Sequence, residues 1–250
     1  MEYFYVPPTN ISPPHLTIDG EEFKHLTHVM RKGPGDEIRV VDGKGNVYDV
    51  RIASIVRRTA HCMIIDQRVM ENEPAISVTL AAGVVKNGAR YDFLVEKATE
   101  LGVRTIVPLS TERTIPQHAK TDRWQKLAIA AMKQSGRCVL PKVLPLTSFD
   151  RFITGAYAGR ESIQPLQGRI SQPIAPPLKL IPHEKETARS LREALAGGPR
   201  DTILCIGPEG GFSDREIDEA VNAGFLPVSL GPRRLRTETA TIAALSMLLS

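Results

Sequence analysis

The sequence predicts an α/β fold in which a parallel sheet is covered by helices and preceded by a small β module. Three observations carry that prediction. From Ile76 to the C terminus, short apolar runs alternate with stretches of helical periodicity, the pattern of strands joined by crossover helices. The first seventy residues instead hold β-rich runs bounded by glycines. Between the two patterns Glu71 to Pro74 reads as a linker, dividing the chain into residues 1–72 and 73–250. A length of 250 residues suits one small and one medium domain.

In the first domain "EEFKHLTHVMR", Glu21 to Arg31, has the periodicity of a short helix stopped by Gly33-Pro34-Gly35. "EIRVVDGKGNVYDVRIASIVRR" follows, two β-rich runs around Gly43-Lys44-Gly45-Asn46, a hairpin signal. Arg57 to Asp66 supplies a further strand. His25 and His28 lie three apart with no third ligand nearby, so they read as ordinary helix residues and no metal is expected.

In the second domain "SVTLAAG" is a strand. "RYDFLVEKATELGV" is a helix with Phe93, Leu94, Ala98 and Leu101 turned inward and Gly102 ending it. "VRTIVPL" is the next strand, and "TDRWQKLAIAAMKQSGR" a helix with Thr121 as candidate N-cap and Gly136 as stop. Residues 155–177, rich in Gly, Pro, Gln and Ser, read as a long surface loop with no assigned role. Strand "LKLIPH", helix "KETARSLREAL" and strand "TILCI" come next, then a loop, a helix, strand "LPVSL", a second loop and a last helix.

Both late loops are unusual. Gly207-Pro208-Glu209-Gly210-Gly211 runs into Ser213-Asp214-Arg215-Glu216, a capping box that turns the free amides of a helix N-terminus toward the loop. Gly231 to Thr239 opens the last helix in the same way. A parallel sheet binds ligands beyond the carboxyl ends of its strands, where these loops lie. No P-loop, dinucleotide fingerprint, nucleophile elbow or zinc-protease motif is present. The loops also lack a lysine for phosphates, so a mostly neutral, adenosine-like ligand held by backbone groups fits better than a triphosphate.

The net charge of +4 is concentrated in residues 73–158. There Arg123, Lys126, Lys133 and Arg137 recur at helical spacing, with Ala130 filling the gap, as one basic stripe suited to a phosphate backbone or simply to solvent. Three widely spaced cysteines read as reduced thiols, no apolar run is long enough to span a bilayer, and "MEYFYVPPTN" is no secretory signal. A cytoplasmic protein is expected.

"IGPEGGFSDREI" followed by "LGPRRLRTETATIAAL" resembles the paired signature of the RsmE family, methyltransferases of the SPOUT superfamily acting on N3 of a uridine in 16S ribosomal RNA. The likeness extends through "DFLVEKATELGV", "RWQKLAIAAMKQSGR" and "HVMRKGPGDEIRVVDGKGNVY", most of the chain outside residues 155–177. One departure is Arg234, where the family's "LGxRILR" has an apolar residue. The resemblance implies an N-terminal PUA-like β-barrel that helps hold RNA and a SPOUT methyltransferase domain with a C-terminal deep trefoil knot. It implies S-adenosyl-L-methionine bent in that knot, its adenine held mainly by backbone, with Gly207, Glu209, Gly210, Leu230, Gly231, Leu235 and Thr239 lining the pocket and Leu80 to Gly83 bordering it. It implies a homodimer whose site is completed at the interface, a role for which the apolar "TATIAALSMLLS" is suited.

Methylation at N3 requires loss of the N3 proton while the uracil oxygens gain negative charge. Arg236, with its planar fork of donors, is the candidate cation, against a second role bracing its own loop. Glu238 or Glu209 is the candidate base, although Glu238 could equally tie the loop to Arg233 or Arg236. Arg31 joins Arg123, Lys126, Lys133 and Arg137 as candidate RNA contacts to 16S ribosomal RNA or the small ribosomal subunit. The alternatives are a non-catalytic RNA-binding assembly factor of the same fold and a SPOUT enzyme acting on transfer RNA.

Overall fold

The computed structural model describes residues 3–115, 118–156 and 176–249, so most of the predicted 155–177 loop lies outside the described residues. The chain forms two units, Met1–Glu73 with Ile129–Leu140, and Pro74–Ala128 with Pro141–Ser250. Residues 129–140 therefore cluster with the first unit, although their sequence reads as part of the second domain.

In the first unit, strands β1 (Tyr3–Tyr5), β2 (Ile11–Ser12), β3 (His15–Ile18), β4 (Glu37–Val41), β5 (Asn46–Val56) and β6 (Thr59–Val69) form one sheet in the order β1-β4-β5-β6-β3-β2. Only β1 and β4 are parallel; the other pairs are antiparallel. The β4–β5 turn is held by Asp42, whose carboxylate accepts the Lys44 and Asn46 amides at 2.7 and 3.0 Å and the Asn46 side-chain amide at 2.6 Å. Gly43 and Gly45 both have positive φ there, which explains the glycines. Helix α1 (Gly20–Lys24) continues into one π turn, His25–Val29, so the helical stretch matches the one expected over 21–31 to within two residues at each end. Phe4, Leu16, Ile18, Leu26, Val40 and Val50 form the core of the sheet.

Residues 129–140 join this unit for two reasons. Met132, Cys138 and Val139 share an apolar cluster with Val41 and Val47. Glu73 then accepts the Cys138 and Val139 amides, both at 2.9 Å, and pairs with Arg137.

The second unit is built on a wholly parallel sheet. Its strands are β7 (Val78–Gly83), β8 (Thr105–Ser110), β9 (Lys142–Val143), β10 (Thr147–Ser148), β11 (Leu178–Pro182), β12 (Thr202–Ile206) and β13 (Leu226–Val228). Their order is β10-β8-β7-β12-β11-β13, with β9 also beside β8. Between them run α2 (Gly88–Leu101), α3 (Thr121–Ser135), α4 (Phe149–Ile153), α5 (Leu191–Ala194) and α6 (Asp214–Asn222), and α7 (Thr237–Leu249) follows β13. The first eight residues of α3 belong to this unit and the remainder to the first.

Two local expectations are corrected. In α2 the buried stripe is Tyr91, Leu94, Val95, Ala98 and Thr99, so Phe93 is 44% exposed and lies beneath the Lys97 ammonium. The helix expected over 185–195 is one turn, Leu191–Ala194, because Ser190 and Glu193 make a reciprocal capping box that starts it there. Gly102 ends α2 at φ 111, and a Cβ on it would collide with Pro74. Among the described residues no helix is long and apolar enough to cross a membrane.

Candidate functional site: a cleft at the carboxyl edge of the parallel sheet

Strands running the same way deliver their following segments to one edge of the sheet. The segments after β11, β12 and β13 wall a cleft of about 750 Å³, counting space open to solvent. One wall is Pro182, His183 and Glu184 and the second is the 207–212 loop; Leu230 to Leu235 with the first turn of α7 makes the third.

Side chains and glycines lace these loops together. A Cβ on Gly83, the last residue of β7, would lie 2.5 Å from the Pro208 backbone nitrogen and 2.6 Å from its Cδ. Only glycine allows the loop to sit this close. Glu209 Oε1 accepts the Lys86 amide at 3.0 Å, and the Arg113 guanidinium donates to the Gly210 carbonyl at 2.7 Å. Thr237 donates its hydroxyl to the Gly207 carbonyl at 3.0 Å. At α6 the expected capping box is formed in full, and Glu216, 1% exposed, accepts both the Ser213 amide at 2.8 Å and the Glu112 amide at 2.9 Å. One buried carboxylate thus fixes the loops after both β8 and β12.

Part of the wall suits the apolar, aromatic body of a ligand, and Glu184, Glu209, Arg233 and Arg234 add charge to the rest. Ile206, Phe212, Leu230 and Leu235 supply apolar wall, and no lysine lines the cleft. Gly231, at φ 106, has no atom within 4 Å of where a Cβ would stand, so its wall is bare backbone beside open space. Burial, with help from Lys185, holds the His183 imidazole below its ordinary pKa and so neutral at physiological pH. Burial pushes Cys62 up to about 11 and Cys138 up to about 12, and Cys205 is also raised; none is a poised thiolate. Among the described residues no group of three His, Cys, Asp or Glu could hold a metal ion.

Of the expected cofactor residues, Gly207, Glu209, Leu230, Gly231 and Leu235 line the cleft. Leu80 is fully buried in β7, Gly83 backs the loop at Pro208, Gly210 faces Arg113, and Thr239 is exposed; none of these four is on its wall. His183, Glu184, Phe212 and Thr237 line it without having been anticipated. A signal for the first two existed, since "LKLIPH" ends at the edge where parallel strands present their loops.

Arg236 is exposed at the head of α7, and its guanidinium has no partner among the described residues. Glu238, its side chain 14% exposed, lies 3.8 Å from Arg90 Nε of α2 instead of tying the loop to Arg233 or Arg236.

The basic stripe is corrected at one end. Arg137 is 2% exposed, and its guanidinium meets the Glu73 carboxylate at 2.6 Å, so it presents nothing to a phosphate backbone. Lys133 is half-buried and paired with Glu22 at 2.5 Å. Arg123 is exposed but bonded to Asp92 at 2.8 Å, while Lys126 and Arg31 are exposed.

Comparison with known proteins agrees with this geometry. Residues 71–249 match the model of an RNA methyltransferase domain, and residues 18–65 that of an RNA methyltransferase PUA domain. A ribosomal RNA small subunit methyltransferase E of Synechocystis is 33% identical over 97% of this chain and 75% of its own length. That of Aquifex aeolicus is 30% identical over 92% of this chain and 91% of its own. A crystal structure of the Neisseria gonorrhoeae ribosomal RNA small subunit methyltransferase E bound to S-adenosyl methionine superposes with a TM-score of 0.79 at 31% identity, covering 98% of this chain and 95% of that one. With a PUA domain ahead of a parallel α/β domain whose late loops enclose a glycine-walled cleft, the chain belongs to the ribosomal RNA small subunit methyltransferase E family of RNA methyltransferases.

Proposed function

We propose that the protein transfers the methyl group of S-adenosyl-L-methionine to N3 of a uridine in 16S ribosomal RNA of the small subunit. The observation that carries this reading is the cleft itself: backbone-walled, lysine-free, and laced from the loops after β7, β8, β12 and β13. When bound, the cofactor supplies an electrophilic methyl on a positively charged sulfur. Gly207, Glu209, Leu230, Gly231 and Leu235 border it, while Leu80, Gly83, Gly210 and Thr239 act from behind or beside that wall. A C-terminal trefoil knot belongs to the same reading. Its support is that β12 and β13 do not pair with each other but lie on either side of β11.

In this reading Arg236 holds a uracil oxygen or a neighbouring phosphate as charge develops, and its exposed guanidinium, without a partner among the described residues, is available to do so. Glu238 takes the N3 proton in preference to Glu209, whose Oε1 already accepts the Lys86 amide. Arg236→Ala is expected to lower kcat about 10²-fold with little change in cofactor affinity, and Arg236→Lys to rescue it only partly. Single-turnover methylation at saturating cofactor and RNA measures this; a wild-type rate in Arg236→Ala makes the arginine a loop brace.

Arg31, Arg123, Lys126 and Lys133 are the proposed RNA contacts, with Arg137 withdrawn. Lys126→Glu is expected to weaken RNA binding and reduce the slope of log affinity against log salt by about 1, leaving cofactor affinity unchanged. An unaltered slope returns Lys126 to a solvated helix face. The protein is further proposed to be a cytoplasmic homodimer. In α7 Thr241, Ala244, Leu245 and Leu248 face inward, leaving Met247 38% exposed beside half-buried Ile242 and Ala243, an apolar face suited to a two-fold contact. Sedimentation is expected to give about twice the 27.5 kDa chain mass. Mapping of small-subunit RNA by mass spectrometry, from cells with and without the gene, tests the substrate: a methyl on N3 of one uridine is expected to vanish with the gene.

A further inference from the structure

Arg234 is the side chain that joins all three walls of the cleft. It rises from the loop after β13, its Nε lies 3.6 Å from Glu184 Oε2 on the wall after β11, and its Nη2 lies 3.5 Å from the Glu209 carbonyl on the wall after β12. Arg234 and Glu184 both line the cleft, and their side chains are 72% and 57% exposed. The 3.6 Å separation is an ion pair and too long for a hydrogen bond. So exposed and loosely held a pair contributes little by itself, and either partner is released readily to a better one.

We propose that Arg234 and Glu184 form the subsite for the zwitterionic amino-acid end of the cofactor, exchanging their mutual contact for its α-carboxylate and α-ammonium groups. The proposal rests on the cofactor reading above and adds to it which end of the ligand lies where. A guanidinium is donor-only and meets a carboxylate with two parallel bonds; a carboxylate is acceptor-only and takes an ammonium. The cleft offers both at its rim, side by side. Glu209, also on its walls, already accepts the Lys86 amide at Oε1. Ile206, Leu230, Gly231 and Leu235 give the remaining wall, which also carries His183, Arg233 and Thr237, the apolar and backbone surface that suits the nucleoside. An apolar residue at position 234 could not make this contact, so the selectivity belongs to this chain's own arginine.

The test is calorimetric titration of the full chain with three ligands: S-adenosyl-L-methionine, S-adenosylhomocysteine, and 5′-methylthioadenosine, which keeps the nucleoside thioether and lacks the amino-acid group. Arg234→Ala is expected to weaken the first two about tenfold and leave methylthioadenosine within about twofold, with Glu184→Gln showing the same selectivity. Arg234→Lys should recover part of the loss, since it restores charge without the planar fork. Both positions are largely exposed, and matching melting curves confirm that the variants fold. Equal weakening of all three ligands by Arg234→Ala would make it a brace of the cleft wall, and no weakening a solvated rim pair; either overturns the proposal while leaving the cofactor reading intact. Failure of the wild-type chain to bind any of the three overturns both.

Discussion

Replacing Gly83 with alanine is expected to weaken S-adenosyl-L-methionine binding about 30- to 100-fold while leaving a folded protein. The added Cβ would stand 2.5 Å from the Pro208 nitrogen, a backbone atom with no flexible side chain to yield. Gly83 ends β7, a central strand paired on both sides, by β8 and β12, so the loop carrying Pro208 gives way instead. Overpacking of this kind costs about 1–3 kcal/mol. Because the displaced loop is a wall of the cleft, most of that cost falls on the bound state, and about 2–3 kcal/mol corresponds to the stated loss of affinity. Gly210→Ala is the comparison: its Cβ would meet the Arg113 Cβ at 3.0 Å, a milder contact relieved by a few tenths of an ångström, so less than a tenfold loss is expected. Calorimetry on both variants measures the difference. An unchanged affinity in Gly83→Ala would take the 207–211 loop out of the binding site.

Glu73→Ala is expected to destabilise the first unit by about 3–5 kcal/mol, because it removes the buried carboxylate that pairs with Arg137 and leaves the two backbone amides it accepts unsatisfied. The Glu73 and Arg137 side chains are each 3% exposed, and the carboxylate also satisfies the Cys138 and Val139 amides. A loss of that size is a large part of the stability of a small domain. Urea denaturation followed by circular dichroism should show the midpoint fall in the transition of the first unit, the second unit's transition being less affected. Arg137→Ala should behave alike, whereas an Arg137 that contacts RNA would weaken RNA binding at unchanged stability.

What was legible in the sequence was local. The Ser213–Glu216 capping box, the αL glycine after α2, and the alternation of strands with helices all rest on interactions within a few residues, and each is found. The paired late loops were legible for the same reason, and five of the nine expected cofactor residues stand on the cleft wall. The misplacements come from distance. Arg137 belongs to a helical charge pattern, but its environment is decided by Glu73, 64 residues away. Phe93 belongs to an apolar run, but the stripe that the sheet covers passes through Tyr91 and Leu94. The 185–195 stretch carried its own correction in Ser190 and Glu193, a capping signal that outweighs helical periodicity. Arg234 and Glu184 could not be paired from sequence at all, since β11, β12 and β13 must be ordered in the sheet before the segments that follow them meet.

Methyl transfer to 16S ribosomal RNA can be followed directly by reconstitution. Purified protein is incubated with S-adenosyl-L-methionine labelled in its methyl group and with small ribosomal subunits from cells lacking the gene; the RNA is then digested to nucleosides and resolved by mass spectrometry. Labelled 3-methyluridine is expected at a single position of 16S RNA, dependent on both protein and cofactor and sharply reduced in Arg236→Ala. Cofactor binding without any transfer of label to ribosomal RNA, or label arriving only in transfer RNA, would contradict the proposed function.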